Sequence, residues 1–402
     1  MSTTKNTNRP DFMIDTVSLK IKHTEFRVLE PEMFYPELVV FTKKTAPFNW
    51  KPSQVFKKYI QNATKEDKFA DCYKPLLTAY RRMGLDDFEY ELHIEFSVPK
   101  LLYGENLSEL SDSDFPQVIK ILKEKLLTMG IDTTESVLRK SVVTKAHFGK
   151  NISLPYPMTV RDVLNELKKA DLGKRMEVNT REYRNDGESL YFYTSVHNII
   201  FYDKVKDIEK TKNISVDKNK TDKERALIKE RDMFREQVLR MEVRYNGLRT
   251  VASVVSKLLP EKPEYVSFEL IFNRQLCKDA LIRNWRDITD RPSNQLAFKM
   301  TLSPEDVLNI LMARARSSKT SVHSLNKVLI NFGLHQLINQ LGAKTVKNKF
   351  LTTWSEKTCI TRLDEKVQSS AVMLQDVPPC EVIGLIDKKL NEFKNYGKNG
   401  DI

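Results

Sequence analysis

Apolar and polar side chains alternate along several segments of the first half of the chain, and this period of two predicts β-strands. The first predicted strand runs from Met13 to Ile21. One of its faces would carry the carboxylate of Asp15 beside the apolar side chains of Val17, Leu19 and Ile21. An acid on an apolar strand face needs a cation or a hydrogen-bond donor, or must reach solvent at the strand end. The sequence leaves both explanations open.

A second strand is predicted over residues 88–99. Its apolar face would be formed by Tyr90, Leu92, Ile94 and Phe96, and its other face by Glu89, Glu91, His93 and Glu95. Four ionisable groups on one strand face favour a solvated surface, because antiparallel sheets commonly expose one face to water. A metal site lined by the same groups is the alternative.

The remaining elements of this half follow in order: a helix over residues 114–129, a strand over 136–146, a helix opened by Thr159, a hairpin over 187–204 and a strand over 237–245. The last strand would place the charged side chains of Arg240, Glu242 and Arg244 on one face. Antiparallel-type strands with interspersed helices predict an α+β fold built on an antiparallel sheet.

Beyond Thr250 the apolar spacing becomes helical, and short helices are predicted over residues 325–330, 335–341 and 345–354, separated by Gly333 and Gly342. We therefore expect a disordered lead-in at residues 1–10, an α+β domain over 11–250 with a charged insertion at about 205–235, and a mostly helical domain over 265–402. The helices around residues 335–350 would fit a helix-turn-helix or, equally, a helical packing domain.

The excess of basic residues indicates a class of partner. Lys and Arg number 66 against 54 acids, which gives a formal net charge of +12 and favours nucleic acid or an anionic membrane surface as partner. The four cysteines form no CxxC pair, and no signal peptide or apolar stretch of membrane-spanning length occurs. We expect a reduced protein of the (host) cytoplasm that does not enter a membrane.

The sequence contains no phosphate-binding loop motif and no serine-hydrolase motif, and its six histidines form no His-x-His pair. What remains is a tyrosine close to a lysine, Tyr202 and Lys204. A tyrosine can attack a phosphodiester and store the bond as a phosphotyrosine link. Strand spacing would put both side chains on one face, where the ammonium could neutralise the phosphate. The triplet alone does not distinguish this role from a structural one.

Four blocks change this picture. Residues 13–21 form the first; residues 97–106 follow with the pattern S-x-x-K-x-L-x-G-x-N, then Y-x-K at 202–204 and R-x-E-x-R at 240–244. In this order and spacing they resemble the filamentous-phage replication initiators, the gene II (phage-plasmid X) family. The resemblance covers most of residues 12–250 and implies a nuclease/relaxase-like antiparallel-sheet domain there.

The resemblance implies a rolling-circle initiator: a metal-dependent endonuclease and strand transferase that nicks one strand at an origin and remains attached through a tyrosine. It implies Mg2+ or Mn2+ as cofactor, single-stranded and supercoiled origin DNA as substrate, and a host helicase and polymerase as partners. Carried over by position, Tyr202 is the nucleophile, Lys204 its accompanying cation and Glu242 a metal ligand.

Asp15, Glu95 and His93 complete the predicted ligand set, and Lys100, Arg240 and Arg244 are predicted to contact DNA. The chain departs from the family at two points. The family's R-x-D strand falls near residues 139–141, which contain no acid. The acid that precedes the second block aligns with His93 rather than with Glu95.

Three alternatives stay open. Residues 187–191 resemble the tyrosine strand of trans-acting plasmid initiators, which makes Tyr191 a second possible nucleophile; Tyr202 is preferred because its neighbours match more closely. A DNA-binding regulator that kept the fold without nicking would use Tyr202 only in packing. A mobilisation relaxase would use the same chemistry in conjugation.

Overall fold

The computed structural model describes residues 12–38, 57–64, 67, 73–83, 88–182, 187–209, 226, 229, 237–300, 302–316, 323–353 and 357–394. The lead-in expected at residues 1–10, and most of the charged insertion expected at 205–235, lie outside these ranges. None of the described helices is long and apolar enough to cross a membrane.

A nine-stranded antiparallel sheet dominates the described part of the chain, with the strand order β3-β4-β5-β1-β7-β11-β10-β9-β8. A small second sheet pairs β2 with β6. The strands are β1 (Met13–Lys22), β2 (Phe26–Val28), β3 (Lys57–Gln61), β4 (Leu76–Met83), β5 (Phe88–Ser97), β6 (Ile131–Thr133), β7 (Val142–Leu154), β8 (Glu177–Glu182), β9 (Glu188–Tyr193), β10 (His197–Asp203) and β11 (Gln237–Asn246).

Helices occupy the connections and nearly all of the second half. They are α1 (Val98–Tyr103), α2 (Phe115–Thr128), α3 (Glu135–Lys140), α4 (Val160–Leu167), α5 (Lys204–Glu209), α6 (Leu248–Leu258), α7 (Phe268–Ile271), α8 (Arg274–Thr289), α9 (Pro292–Ala297), α10 (Pro304–Arg316), α11 (His323–Leu341), α12 (Ala343–Thr353), α13 (Lys357–Met373) and α14 (Glu381–Glu392). The predicted α+β fold, with a helical C-terminal region, is therefore confirmed.

Two predicted elements are wrong. Residues 136–146 are not one strand, because Thr134 caps a helix there: its hydroxyl accepts a hydrogen bond from the backbone N–H of Val137 at 3.3 Å, and β7 begins only at Val142. Gly333 does not separate two helices but lies inside α11. Gly342, which has a φ of +81°, does separate α11 from α12.

One face of the large sheet is apolar and covered by helices. On this core face Val17 pairs with Phe96, and Phe148 pairs with Val243. Helix α8 packs there, with the ring of Trp285 at 6.1 Å from that of Phe201. One continuous apolar core joins the sheet to the helices of the second half. The division into two domains stays a prediction.

The opposite face, called the polar face below, carries the side chains of Lys145, His147, Arg240, Glu242, Arg244, Tyr202 and Tyr191 from four neighbouring strands. Asp15 also lies there, which corrects the expectation that it shares a face with Val17. Asp15 and Thr16 stand opposite the single residue His147, and this β-bulge lets both Ile14 and Val17 face the core while Asp15 turns away from it.

Candidate active site

Three potential metal ligands meet at the centre of the polar face. Asp15, His147 and Glu242 come from the adjacent strands β1, β7 and β11, and each offers one ligand atom within 4.8 Å of the others. The bulge in β1 supplies the first of them. In the register of β7 with β11, His147 pairs with Arg244, and Glu242 pairs with Gly149. The sheet therefore brings together groups that are more than two hundred residues apart in sequence.

Glu242 is fully buried and lies at the centre of the hydrogen bonding. Its Oε1 accepts from Nε of Arg244 at 2.7 Å and lies 3.4 Å from Nδ1 of His147. Its Oε2 accepts from the hydroxyl of Tyr202 at 3.0 Å. Burial alone would raise the pKa of Glu242, but the charge of Arg244 and the hydrogen bonds from His147 and Arg244 hold this pKa well below its usual range. The carboxylate is therefore ionised.

Tyr202 is enclosed beside this carboxylate, with 5% of its surface exposed. Burial raises the pKa of its hydroxyl well above 10, and the negative charge of Glu242 raises it further, whereas the charge of Arg240 acts in the opposite direction. The hydroxyl is therefore a neutral donor in this arrangement, and its proton points at the carboxylate.

Arg240 connects the site to the first two sequence blocks. The buried guanidinium donates from Nε to Oδ1 of Asn151 at 2.8 Å, and its Nη1 lies 3.5 Å from Oδ1 of Asp15. Its Nη2 donates to the carbonyl oxygen of Asn106 at 2.5 Å. Asn106 ends the block at residues 97–106, so all four blocks of the resemblance meet at this one place.

Lys204 lies beside Tyr202, but not for the predicted reason. Strand β10 ends at Asp203 and Lys204 is the first residue of α5, so alternation along a strand does not align the two side chains. The ammonium of Lys204 lies 5.8 Å from the centre of the Tyr202 ring and 3.7 Å from Oδ2 of Asp207, and its side chain is 1% exposed.

Two of the predicted metal ligands stand outside the central cluster. Glu95 accepts from Nζ of Lys145 at 2.6 Å, and His93 lies 2.7 Å from Oε1 of Glu91. Strand β5 is internal to the sheet, and these side chains are half-buried in ion pairs rather than fully solvated as predicted.

The predicted DNA contacts differ in exposure. The side chains of Lys100 and Arg240 are buried, so in this arrangement neither presents its charge to solvent. The side chain of Arg244 is 32% exposed on the polar face. Of the three, only Arg244 is placed to meet a phosphate directly, and the predicted role of all three stays a prediction.

His147 and Asn151 are site residues that the sequence analysis missed. The strand predicted over residues 136–146 ends just before His147, and the residues near the family's R-x-D position, 139–141, form the end and the C-cap of helix α3. The signal lies in β7 itself: with the strand placed at Val142–Leu154, alternation puts Lys145, His147 and Asn151 on one face.

The donor set fits a divalent cation. Two carboxylates and an imidazole suit Mn2+, whereas Mg2+ prefers oxygen ligands throughout. Arg244 competes for Glu242, and Arg240 lies beside Asp15, so both carboxylates already have a positive neighbour. A bound cation would therefore share these carboxylates with the arginines.

Comparisons with known proteins add little. No family model matches the chain, and no curated protein sequence matches it. Among solved structures, the chain is similar to a rolling circle replication initiator protein from Geobacillus stearothermophilus, with 13% identity over 61% of this chain and 77% of that chain. The TM-score of 0.26 is too low to establish a common fold.

Proposed function

We propose that this protein is a rolling-circle replication initiator that nicks and rejoins one strand of origin DNA, with Tyr202 as its nucleophile. The observation that carries the proposal is the convergence of the four sequence blocks. Tyr202 and Glu242 are in hydrogen-bond contact at 3.0 Å, and Arg240 reaches both Asp15 and the carbonyl of Asn106. Residues that support only a core have no need to bring these polar groups together.

The reaction is a transesterification. The Tyr202 oxygen attacks the phosphorus and the bond to the 3′ oxygen breaks, which leaves a 5′-phosphotyrosine link and, with one proton, a free 3′-hydroxyl. Glu242 accepts the hydrogen bond of the Tyr202 hydroxyl before attack, and the proton of that hydroxyl is the one that the leaving 3′ oxygen takes up. Attack by a 3′-hydroxyl on the phosphotyrosine reverses the step and rejoins the strand without an external energy source.

The surrounding cations have separate tasks. A divalent cation held by Asp15, His147 and Glu242 would supply charge neutralisation for the phosphate. Arg244 is partly exposed and can contact a phosphate oxygen, whereas the buried Arg240 orients Asp15. Because Tyr202 is only 5% exposed, its hydroxyl must leave Glu242 and turn towards the open polar face as it attacks.

Adduct formation tests the proposal. The protein is incubated with supercoiled origin DNA and Mn2+, and we expect a protein–DNA adduct that survives boiling in detergent. A tryptic peptide containing Tyr202 should carry the nucleotide. Tyr202→Phe should form no adduct, while Tyr156→Phe, at a fully exposed turn, should match the wild type.

The other outcomes separate the alternatives. Equal adduct from Tyr202→Phe would show that the nucleophile is wrongly assigned, and the modified peptide would show whether Tyr191 takes its place. DNA binding without any adduct would support the non-catalytic regulator. A mobilisation relaxase would form the same adduct but at a transfer origin rather than a replication origin.

A further inference from the structure

Two tyrosines extend the polar face outward from the candidate active site. Tyr191 pairs with Ile200, which pairs in turn with Glu242, so Tyr191 lies two strands from the centre of the site. Tyr193 follows on the same strand and the same face, next to Asn198. Both side chains are half-buried, in contrast to the enclosed Tyr202. An aromatic surface is thus continuous with the site.

Positive charge accompanies these rings. The guanidinium of Arg181 on β8 lies 4.9 Å from the centre of the Tyr191 ring, and Arg181 itself is exposed. The partly exposed Arg244 is on the inner side, because Asn198 pairs with Arg244 on one neighbouring strand and with Tyr193 on the other. The exposed carboxylate of Glu177 on β8 accepts a hydrogen bond from the hydroxyl of Tyr193 at 2.8 Å. The charges of Arg181 and Arg244 complement a phosphate backbone.

We propose that Tyr191 and Tyr193 form a stacking platform for the bases of a single DNA strand that leads to Tyr202. The inference deepens the proposed function, on which it rests for the position of the scissile phosphate. Two residues on one strand face are separated by about 6.6 Å, which is about twice the 3.4 Å rise per base of stacked DNA. The rings therefore match bases of an extended strand and not those of a stacked duplex.

The platform gives Tyr191 a role different from that of a nucleophile. Stacking needs the flat ring and not the hydroxyl, and the hydroxyl of Tyr191 makes no hydrogen bond to any residue that the structure describes. Arg181 covers one side of the ring and can add a cation–π contribution, as arginines do in single-strand binding grooves.

Binding of the full chain to a fluorescent 20-nucleotide poly-dT tests the platform by anisotropy, without metal and therefore without cleavage. Tyr191→Leu is expected to raise Kd about 5- to 150-fold, the range for loss of one aromatic stacking contact. Tyr191→Phe keeps the ring and should bind like the wild type. Tyr156→Leu removes a fully exposed tyrosine outside the strands of the sheet and is the control.

Either of two results overturns the platform: unchanged binding by Tyr191→Leu, or equal loss of binding by Tyr191→Phe. A circular dichroism melt identical to that of the wild type shows that Tyr191→Leu is folded, and Tyr193→Leu repeats the measurement at the neighbouring ring. The result is independent of the proposed nicking. Because poly-dT binding is measured without metal and without cleavage, a loss of affinity in Tyr191→Leu would be detected even if the wild-type protein forms no adduct.

Discussion

Substitution of His147 distinguishes a metal centre from a network of ion pairs. Its Nδ1 lies 3.4 Å from Glu242, and it completes the cluster with Asp15. We expect Mn2+ to raise the thermal stability of the protein, because a ligand that binds only the folded state at 100 times its Kd stabilises it by about 2.7 kcal/mol. In His147→Ala this increase should largely disappear. Thermal unfolding with and without Mn2+ measures the effect.

His93→Ala is the matched control, because His93 is half-buried on the same sheet but contacts Glu91 outside the cluster. It should keep the full Mn2+ response. A response that His93→Ala abolishes and His147→Ala preserves would place the metal at the predicted Glu95 and His93 instead.

Residue types were more predictable than their surroundings. The sequence pointed to Asp15, Tyr202 and Glu242, which the structure brings together. These residues could be selected because the ordered sequence blocks specify the residue type at each position. The direction of Asp15 was wrong, since a β-bulge depends on how β1 pairs with β7 and leaves no mark in β1 alone. The burial of Arg240 was equally invisible, because its partners Asn151 and Asn106 come from distant segments.

Elements with strong local signals were predicted well. Helix α2 was expected over residues 114–129 and spans Phe115–Thr128, and α4 begins after Thr159, the residue expected to open it, which forms a capping box with Asp162. The prediction for the segment before β7 was wrong. Its alternation resembled that of a strand, whereas the segment forms a helix that is capped by Thr134. A local competition of this kind is decided by packing, which a single sequence does not show.

The two glycines of the C-terminal helices are expected to respond oppositely to alanine. Gly333 lies inside α11 with no atom within 4 Å of an added Cβ, so Gly333→Ala should stabilise the protein by about 0.5–1 kcal/mol. Gly342 has a φ of +81°, and an added Cβ would lie 3.0 Å from Cα of Lys169. Gly342→Ala should therefore destabilise by about 1–3 kcal/mol.

Urea unfolding of both variants measures these changes, and each serves as the control for the other. Destabilisation by Gly333→Ala would contradict the continuous helix α11. A neutral Gly342→Ala would contradict the tight contact between the start of α12 and the turn after α4.

At the scale of the whole molecule, helices cover one face of the sheet and the polar face bears the site. Strand order was the part that sequence did not predict. β1 lies between β5 and β7, and β7 lies between β1 and β11, so the site depends on pairings between segments far apart in the chain. The ordered blocks contain the residue types on which the proposed function rests, and the pairing of β1, β7 and β11 shows how Asp15 and Glu242 come together.

The proposed DNA binding, the net charge of +12 and the two-sided architecture together predict that the salt dependence of binding arises from one face. For a single strand, log K falls with log salt with a slope of about −0.7 per neutralised phosphate. Arg181→Gln on the polar face should reduce the magnitude of this slope by about 0.7. Arg286→Gln should leave the slope unchanged, because Arg286 is exposed on α8 over the opposite face.

Tyr191→Leu should weaken binding without altering the slope, since stacking releases no counterions. Poly-dT titrations between 50 and 200 mM NaCl, about the range over which such effects are large, measure all three. A slope that changes with Arg286 and not with Arg181 would move the DNA to the helical side of the molecule.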